Sequence, residues 1–437
     1  MKVRVIGAGL SGSEAALQLA KYGFEVELFE MRPEKTTGAH KTDKFAEFVC
    51  SNSLGAIDST NASGELKEEL KLLNSFLIET AFNTTVEAGG ALAIDRELFS
   101  QRITELIEQN DKITVIRKEI TSLDLEIPTI IASGPLTSDA LSKSIKEFLG
   151  EEYLHFFDAI APIIEKDSIN FEKAFYLNRY NKGTKDYINC PMNKEEYLKF
   201  YDILINSPKI ELKSFEKDAK FFESCLPVEV LAQRDINALR FGPLKPVGLV
   251  DERTGTENYA VVQLRQDNQA KSLYNMVGFQ TNLKWGAQTE LVHSIPGLEN
   301  ANIIRYGVMH RNTFINSPKL LNPTLQTRKN PNIFFAGQIT GTEGYTESIA
   351  TGLLAGINMA RHLSGKPLLT LPKETVLGAL TNYISFDEHK HFQPINSNWG
   401  IVSDIQLDKK QRKDKKLKNE AYHQRAISSM KEFLSNI

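Results

Sequence analysis

Two kinds of residue in this 437-residue chain could carry chemistry by type and spacing: three cysteines and one glycine-rich turn. The cysteines are Cys50, Cys190 and Cys225. They are too few for a disulfide framework, and no CxxC or mixed His/Cys spacing points to zinc. A thiol is a nucleophile only as its thiolate, and an arbitrary cysteine is more often a small buried hydrophobe. Residue type alone leaves each of the three open between reactive thiol and core filler. Reduced cysteines predict a cytoplasmic protein.

The glycine turn is more specific. A short β-type run, Val3-Arg4-Val5-Ile6, leads into Gly7-Ala8-Gly9-Leu10-Ser11-Gly12. Ala15, Ala16, Leu19 and Ala20 then repeat at helical spacing, and a second strand over 25–29 ends in Glu30, 18 residues past Gly12. Strand, GxGxxG, helix, strand and acidic residue stand in the order of a βαβ dinucleotide site. Gly7 permits the tight turn, Gly9 lets the backbone approach a pyrophosphate, and Gly12 lets helix and strand pack closely. The helix N-terminus turns unpaired N–H groups and a positive dipole end toward the phosphates. Glu30 stands near the ribose position. Two later segments favour FAD over NAD. Residues 126–134 (EIPTIIASG) read as a buried strand ending at Gly134, and residues 332–337 (NIFFAG) as another ending at Gly337. Gln338 opens the segment that follows, and a helix of small residues is predicted over 347–361. Two-dinucleotide flavoproteins return late to their first domain in this way, with a late helix N-terminus near the flavin ring. An ordinary strand–loop–helix unit is the alternative.

These residues need a frame. Strands alternate with helical patterns over 1–150, which predicts a mostly parallel sheet. Residues 63–80 read as one amphipathic helix with Leu66, Leu70, Leu73 and Phe76 at helical spacing. Residues 151–310, rich in aromatics and lysine, read as an inserted smaller α+β domain. Residues 311–437 return to the first domain and end in a basic tail. The predicted fold class is α/β: a Rossmann-like FAD-binding domain of the glutathione-reductase kind, carrying an insertion. Hydrophobic residues at 41% and charged residues at 24% exclude a mainly disordered, collagen-like or coiled-coil chain. No run approaches the roughly 18–20 apolar residues that span a bilayer, and the N-terminus lacks a signal-peptide plan. The net charge of −3 argues against a nucleic-acid partner unless the cations cluster. Lys409, Lys410, Arg412, Lys413, Lys415, Lys416 and Lys418 do cluster, as a solvated helix or as an RNA-backbone contact. Arg179, Arg240, Lys245 and Lys284 are further candidate phosphate contacts.

Longer blocks carry a resemblance. GAGLSGSEAA, HKTDKFAEFVCSNSL, GGALAIDR, RYNKGTKDYINCPMNKEEY, CLPVEVLA, LRFGPLKPVGL, YGVMHRNTFINSP and FFAGQITGTEGYTESIATGLLAG occur in that order, reaching nearly residue 400. They resemble the folate- and FAD-dependent RNA uracil-5-methyltransferases, the methylenetetrahydrofolate–tRNA-(uracil-5-)-methyltransferase family with its ribosomal-RNA-acting paralogues. The resemblance implies methylation of uridine C5: the T-loop uridine of tRNA, or in the paralogues a uridine of 23S rRNA. It implies 5,10-methylenetetrahydrofolate as carbon donor and FADH2, recharged by NAD(P)H, as reductant. Cys50 and Cys225 match the family's functional positions, with Cys225 as nucleophile on the uracil and Cys50 as flavin-side acid/base. Tyr345 matches a tyrosine near the isoalloxazine ring, where it could stack on flavin, folate or a base, or simply pack at a helix start. His310 could donate to folate or flavin carbonyls, or be a hydrogen-bonded structural residue. Cys190 keeps the core-filler reading. The family usually has Arg where this chain has Gly55. A wobble-uridine-modifying FAD enzyme shares the fold but carries a long C-terminal helical domain, and little follows residue 400 here. A non-catalytic flavin- and RNA-binding protein is the remaining alternative.

Overall fold

A computed structural model of the chain describes residues 2–437 apart from 152, 160, 182–184, 211–225, 256, 308 and 390–391. The first βαβ unit forms where the sequence predicts it. Strand Lys2–Ile6 buries Val3, Val5 and Ile6, and helix Leu10–Lys21 is buried from Leu10 to Ala20. Strand Glu25–Glu30 lies parallel to the first, with Val3 beside Val26 and Ile6 beside Phe29. Five parallel strands make the central sheet, in the order Ile333–Phe335, Thr129–Ile131, Lys2–Ile6, Glu25–Glu30, Ile113–Arg117. The two late runs read as buried strands are therefore neighbours, Ile333 pairing with Thr129 and Phe335 with Ile131. The chain leaves the first strand toward one edge and later fills the other, so a crevice opens beside that strand's C-terminal end.

The helix after the returning strand, Tyr345–Leu363, is buried from Thr346 to Ala360 and lies against Leu10–Lys21. Small residues make that contact possible. A Cβ on Gly352 would stand 2.2 Å from the Ser11 carbonyl oxygen, and one on Gly356 2.9 Å from that of Ala15.

The single helix predicted over 63–80 is two, Ala62–Leu72 and Phe76–Phe82, broken at Asn74 with φ +59°. The cause lies on the first helix. Gln18 Nε2 donates to the Asn74 carbonyl at 3.0 Å, and Glu14 accepts from Ser75 Oγ and the Leu77 N–H at 2.9 Å each. Glu14 thus helps cap the second helix from outside. Apolar spacing continues across the break, so periodicity alone does not reveal it.

A second sheet is antiparallel and six-stranded, in the order Phe175–Tyr176, Ile188–Met192, Ala260–Gln266, Leu273–Met276, Ile163–Glu165, Ile303–Arg305. It has its own core, in which Cys190, Tyr197, Phe200 and Val262 are fully buried. Helix Lys194–Asn206 joins that core behind an Asn193/Glu196 capping box. Strands Leu154–Ala159 and Met309–Phe314 pair antiparallel where the chain leaves the parallel half and re-enters it. A small third sheet, Ser53–Ala56, Ala91–Ile94 and Thr85–Val86, lies within the first part of the chain.

The basic tail is more than a solvated helix. Asp414 interrupts the charge run because it caps helix Lys415–Ser435, accepting from the Lys416 N–H at 2.8 Å. That helix buries Tyr422, Ala426 and Met430, and Tyr422 lies 5.3 Å from the Trp399 ring. His423 Nδ1 contacts the buried Glu65 carboxylate of Ala62–Leu72. Arg412, Lys413, Lys415, Lys416 and Lys418 stay exposed at its start. No helix among the described residues is long and apolar enough to cross a membrane.

Candidate functional site

Two adjoining cavities, of about 150 and 350 Å³, open past the ends of the parallel strands. They share Val49, Pro135, Leu136, Gln338 and Tyr345. Gly7, Gly9, Leu10, Ser11, Glu30, Gly134, Gln338 and Tyr345 all line the first, so residues far apart in sequence meet on one wall. Ala8, Gly12 and Gly337 stand beside it. The Ala8 N–H donates to Glu30 Oε2 at 3.0 Å, and the Gly337 N–H to Thr351 Oγ1 at 2.9 Å. A Cβ on Gly12 would lie 1.7 Å from the Gly7 carbonyl oxygen, whereas one on Gly9 would meet nothing within 4 Å. Gly9 also begins helix Leu10–Lys21 without any side-chain cap. An uncapped helix N-terminus, facing a cavity past a glycine with open space before it, fits the diphosphate of a dinucleotide.

Burial pushes the Glu30 carboxyl up, but hydrogen bonds and charge from Arg32 more than offset this and hold it below the usual range. Arg32 grips both oxygens, Nε to Oε1 at 2.9 Å and Nη2 to Oε2 at 3.2 Å. The same guanidinium reaches Glu47 at 3.1 Å and the Thr42 carbonyl at 3.0 Å, tying down the loop that leads to Cys50.

Cys50 lies partly exposed on the wall of the second cavity. Its N–H donates to the Tyr345 hydroxyl at 2.6 Å. Tyr345 opens helix Tyr345–Leu363 behind Gly344, its ring centre 4.3 Å from that of Phe48. Glu343 and Glu347 line the same cavity; Gln338 Nε2 donates to Glu343 at 2.5 Å, and the Ser397 N–H to Glu347 at 2.9 Å. Cys225 and the side chain of His310 lie outside the described residues. Cys190 fills the second core, and burial pushes its thiol well above the ordinary range.

Two of the candidate phosphate contacts turn inward. Arg179 donates to the carbonyls of Lys245 and Val247, and Arg240 to that of Tyr259, whose ring it covers at 3.5 Å. Lys284 is exposed. Sequence reasoning also missed cations. Arg96 and Arg305 donate to the carbonyls of Phe48 and Val49 at 3.3 and 2.6 Å, immediately before Cys50. Their distance in sequence gave no spacing signal; only Arg96, within GGALAIDR, falls in one of the family-like blocks. Gly55 has φ +82°, and a Cβ there would stand 2.6 Å from Ser63 Oγ. Behind it Lys67 Nζ donates to the carbonyls of Ala56 and Ser63 at 3.0 and 2.8 Å, and burial pushes its ammonium down to about 8.

A family model described as "Glucose inhibited division protein A" matches residues 2–367. The methylenetetrahydrofolate–tRNA-(uracil-5-)-methyltransferase TrmFO of Anoxybacillus flavithermus (strain DSM 21510 / WK1) is 55% identical over 437 residues, covering 100% of both chains. Its namesake in Bacillus velezensis (strain DSM 23117 / BGSC 10A6 / LMG 26770 / FZB42) is 54% identical over 428 residues, covering 98% of this chain and 97% of its own. Among solved structures, Aquifex aeolicus GidA in its form II crystal matches with a TM-score of 0.71 at 17% identity, covering 99% of this chain and 73% of that one. The fold is that α/β, Rossmann-like FAD-binding architecture.

Proposed function

Because the chain belongs to the methylenetetrahydrofolate–tRNA-(uracil-5-)-methyltransferase family, we propose that it methylates C5 of a uridine in tRNA, that of the T-loop. The carbon comes from 5,10-methylenetetrahydrofolate, and reducing power from NAD(P)H through bound FAD. The full-length identity to relatives of that name carries the reading. Cys50 and Tyr345, beside a cavity continuous with the dinucleotide crevice, support it. Residues 1–150 and 311–437 serve as the FAD-binding domain and 151–310 as the RNA side. The substrates place the reaction in the cytoplasm.

FAD, when bound and reduced, supplies the hydride that turns the transferred methylene into methyl. The protein's residues do the rest. The uncapped N-terminus behind Gly9 holds the diphosphate. Uracil C5 is a poor nucleophile, so the Cys225 thiolate adds to C6 and makes C5 enolate-like, able to attack the methylene carbon. Cys50 then takes the C5 proton as the bond from the methylene carbon to the folate nitrogen breaks, which leaves tetrahydrofolate and an exocyclic methylene on C5. As that methylene gains the hydride, the C6–S bond breaks, the Cys225 thiolate leaves and the ring recovers its double bond. The Tyr345 hydroxyl fixes the Cys50 backbone for that transfer.

Purified protein should carry flavin and form 5-methyluridine in a tRNA transcript given methylenetetrahydrofolate and NADPH, read by nuclease digestion and mass spectrometry. A flavin-free protein, or product only in 23S rRNA fragments, refutes the proposal. The cysteine roles separate with T-loop RNA carrying 5-fluorouridine, whose C5 fluorine blocks proton removal and traps the C6 adduct. Cys50→Ala should retain a denaturation-stable adduct and Cys225→Ala should lose it; the reverse pattern exchanges their roles.

A further inference from the structure

Cys50 lies where the parallel-sheet half meets the six-stranded sheet, and three arginines from distant parts of the chain converge there. Arg96 and Arg305 hold the two carbonyls before it, those of Phe48 and Val49. Two residues after it, buried Asn52 donates to the Gln266 carbonyl at 3.0 Å, which brings the end of strand Ala260–Gln266, with Arg265, against the same loop. The charges do not balance. Arg96 pairs with Asp267 at 2.7 Å. Neither Arg265 nor Arg305 has a carboxylate of its own in an ion pair among the described residues, and Arg265 Nε is buried without a hydrogen-bond partner there. Burial pushes both guanidinium groups below their ordinary range; Tyr187, Asp267 and Cys50 act on Arg265, and Tyr345, Cys50 and Asp267 on Arg305, in the opposite sense. The other titratable groups around this point are Tyr187 and Tyr345, with Glu343 and Glu347 across the cavity, the latter two engaged by Gln338 and Ser397. Three partly desolvated guanidinium groups with one carboxylate are unfavourable unless another anion sits among them. Of the uncharged groups there, the Cys50 thiol is the more acidic by type, about 8.5 against about 10 for the Tyr187 and Tyr345 phenols, and so the one that most readily becomes that anion.

We propose that Arg265 and Arg305 are positioning residues that hold Cys50 as a thiolate in the resting protein. On the reading of Cys50 as acid/base, on which this rests, the thiolate is the form that can act. The C5–H bond breaks, its electron pair stays in the uracil ring, and the proton forms the S–H bond at Cys50. The cations come from outside the motif that carries Cys50.

The test needs no methyl transfer. Reduced full-length protein is treated with iodoacetamide between about pH 5 and 10, and alkylation of Cys50 is followed by peptide mass spectrometry. Wild type should show a midpoint at least about one pH unit below the ordinary thiol value near 8.5. Arg265→Gln and Arg305→Gln should each slow alkylation at pH 7 about tenfold and raise the midpoint, while Arg265→Lys and Arg305→Lys should largely keep it. A wild-type midpoint at or above the ordinary value overturns the proposal, as does an unchanged midpoint in both glutamine variants. Should a glutamine variant fail to fold, the wild-type profile and the lysine variants still decide. A low midpoint in a protein that methylates no RNA would refute the proposed function and leave the thiolate assignment standing.

Discussion

Alanine at Gly9 and alanine at Gly12 should separate ligand binding from folding. Gly9 has φ −71° and ψ −167°, which alanine adopts without strain, and its Cβ would touch no atom within 4 Å. Gly9→Ala should therefore change stability by no more than about 0.5 kcal/mol. Its methyl enters the cavity at the helix N-terminus and holds a phosphate away from the backbone donors. A charge-assisted hydrogen bond is worth about 1.5–3 kcal/mol, so losing one weakens binding about 10- to 150-fold. Gly12→Ala does the opposite. Its Cβ would lie 1.7 Å from the Gly7 carbonyl oxygen and 2.9 Å from the carbonyl carbon, so helix and turn must separate. Overpacking of this kind costs about 1–3 kcal/mol, and a backbone obstacle puts it at the upper end, lowering Tm by roughly 3 °C in a chain of this length. Melting of the flavin-stripped variants and FAD titration by fluorescence quenching read the two effects separately. Wild-type FAD affinity in Gly9→Ala would refute the assignment of this helix end to the diphosphate.

Tyr345→Phe keeps the ring against Phe48 but removes the hydroxyl that accepts the Cys50 N–H. It should retain flavin, cost about 1 kcal/mol in a melt, and slow methyl transfer severalfold. Burial pushes the Glu65 carboxyl up to about 8, so the folded chain holds a proton that the unfolded chain releases near the ordinary value of 4.5. Stability should then be greatest below that value and fall as pH rises through about 8; Tm measured from pH 5 to 8.5 should decline, and less steeply in Glu65→Gln. If the exposed cations at the start of helix Lys415–Ser435 touch the RNA backbone, replacing Lys413, Lys415 and Lys416 with Gln should reduce the salt dependence of tRNA binding. The slope should drop by about 0.7–0.9 for each phosphate no longer neutralised; an unchanged slope would assign these residues to solvent.

The parallel half was legible because its signals are local. A GxGxxG bounded by two strands has one common solution, and the apolar runs around Ile130 and Phe334 become adjacent strands because each must be buried on both faces. The break at Asn74 was not legible, since its cause is Glu14 and Gln18 on another helix, and periodicity carries no record of that contact. The docking of the tail was hidden for a similar reason. Tyr422, Ala426 and Met430 are the three buried positions among several apolar ones on a helix rich in charge, and the groups that side of the helix meets, Trp399 and the helix carrying Glu65, come from elsewhere in the chain.

The site divides along the same line. Gly7, Gly9, Glu30 and Gln338 could be placed from spacing, because a diphosphate is held by backbone and by strand ends whose order the sequence displays. Charge around Cys50 could not, because a guanidinium stabilises an anion by position in space, and Arg96, Arg265 and Arg305 come to the loop that carries it from three separate segments. Net charge hides this as well: a sum of −3 is compatible both with exposed lysines at the tail and with arginines set inward at the seam. The two groups serve different ends. Exposed cations meet phosphates and are screened by salt, whereas partly buried ones keep their field and can hold a thiolate in the range where uracil chemistry needs it.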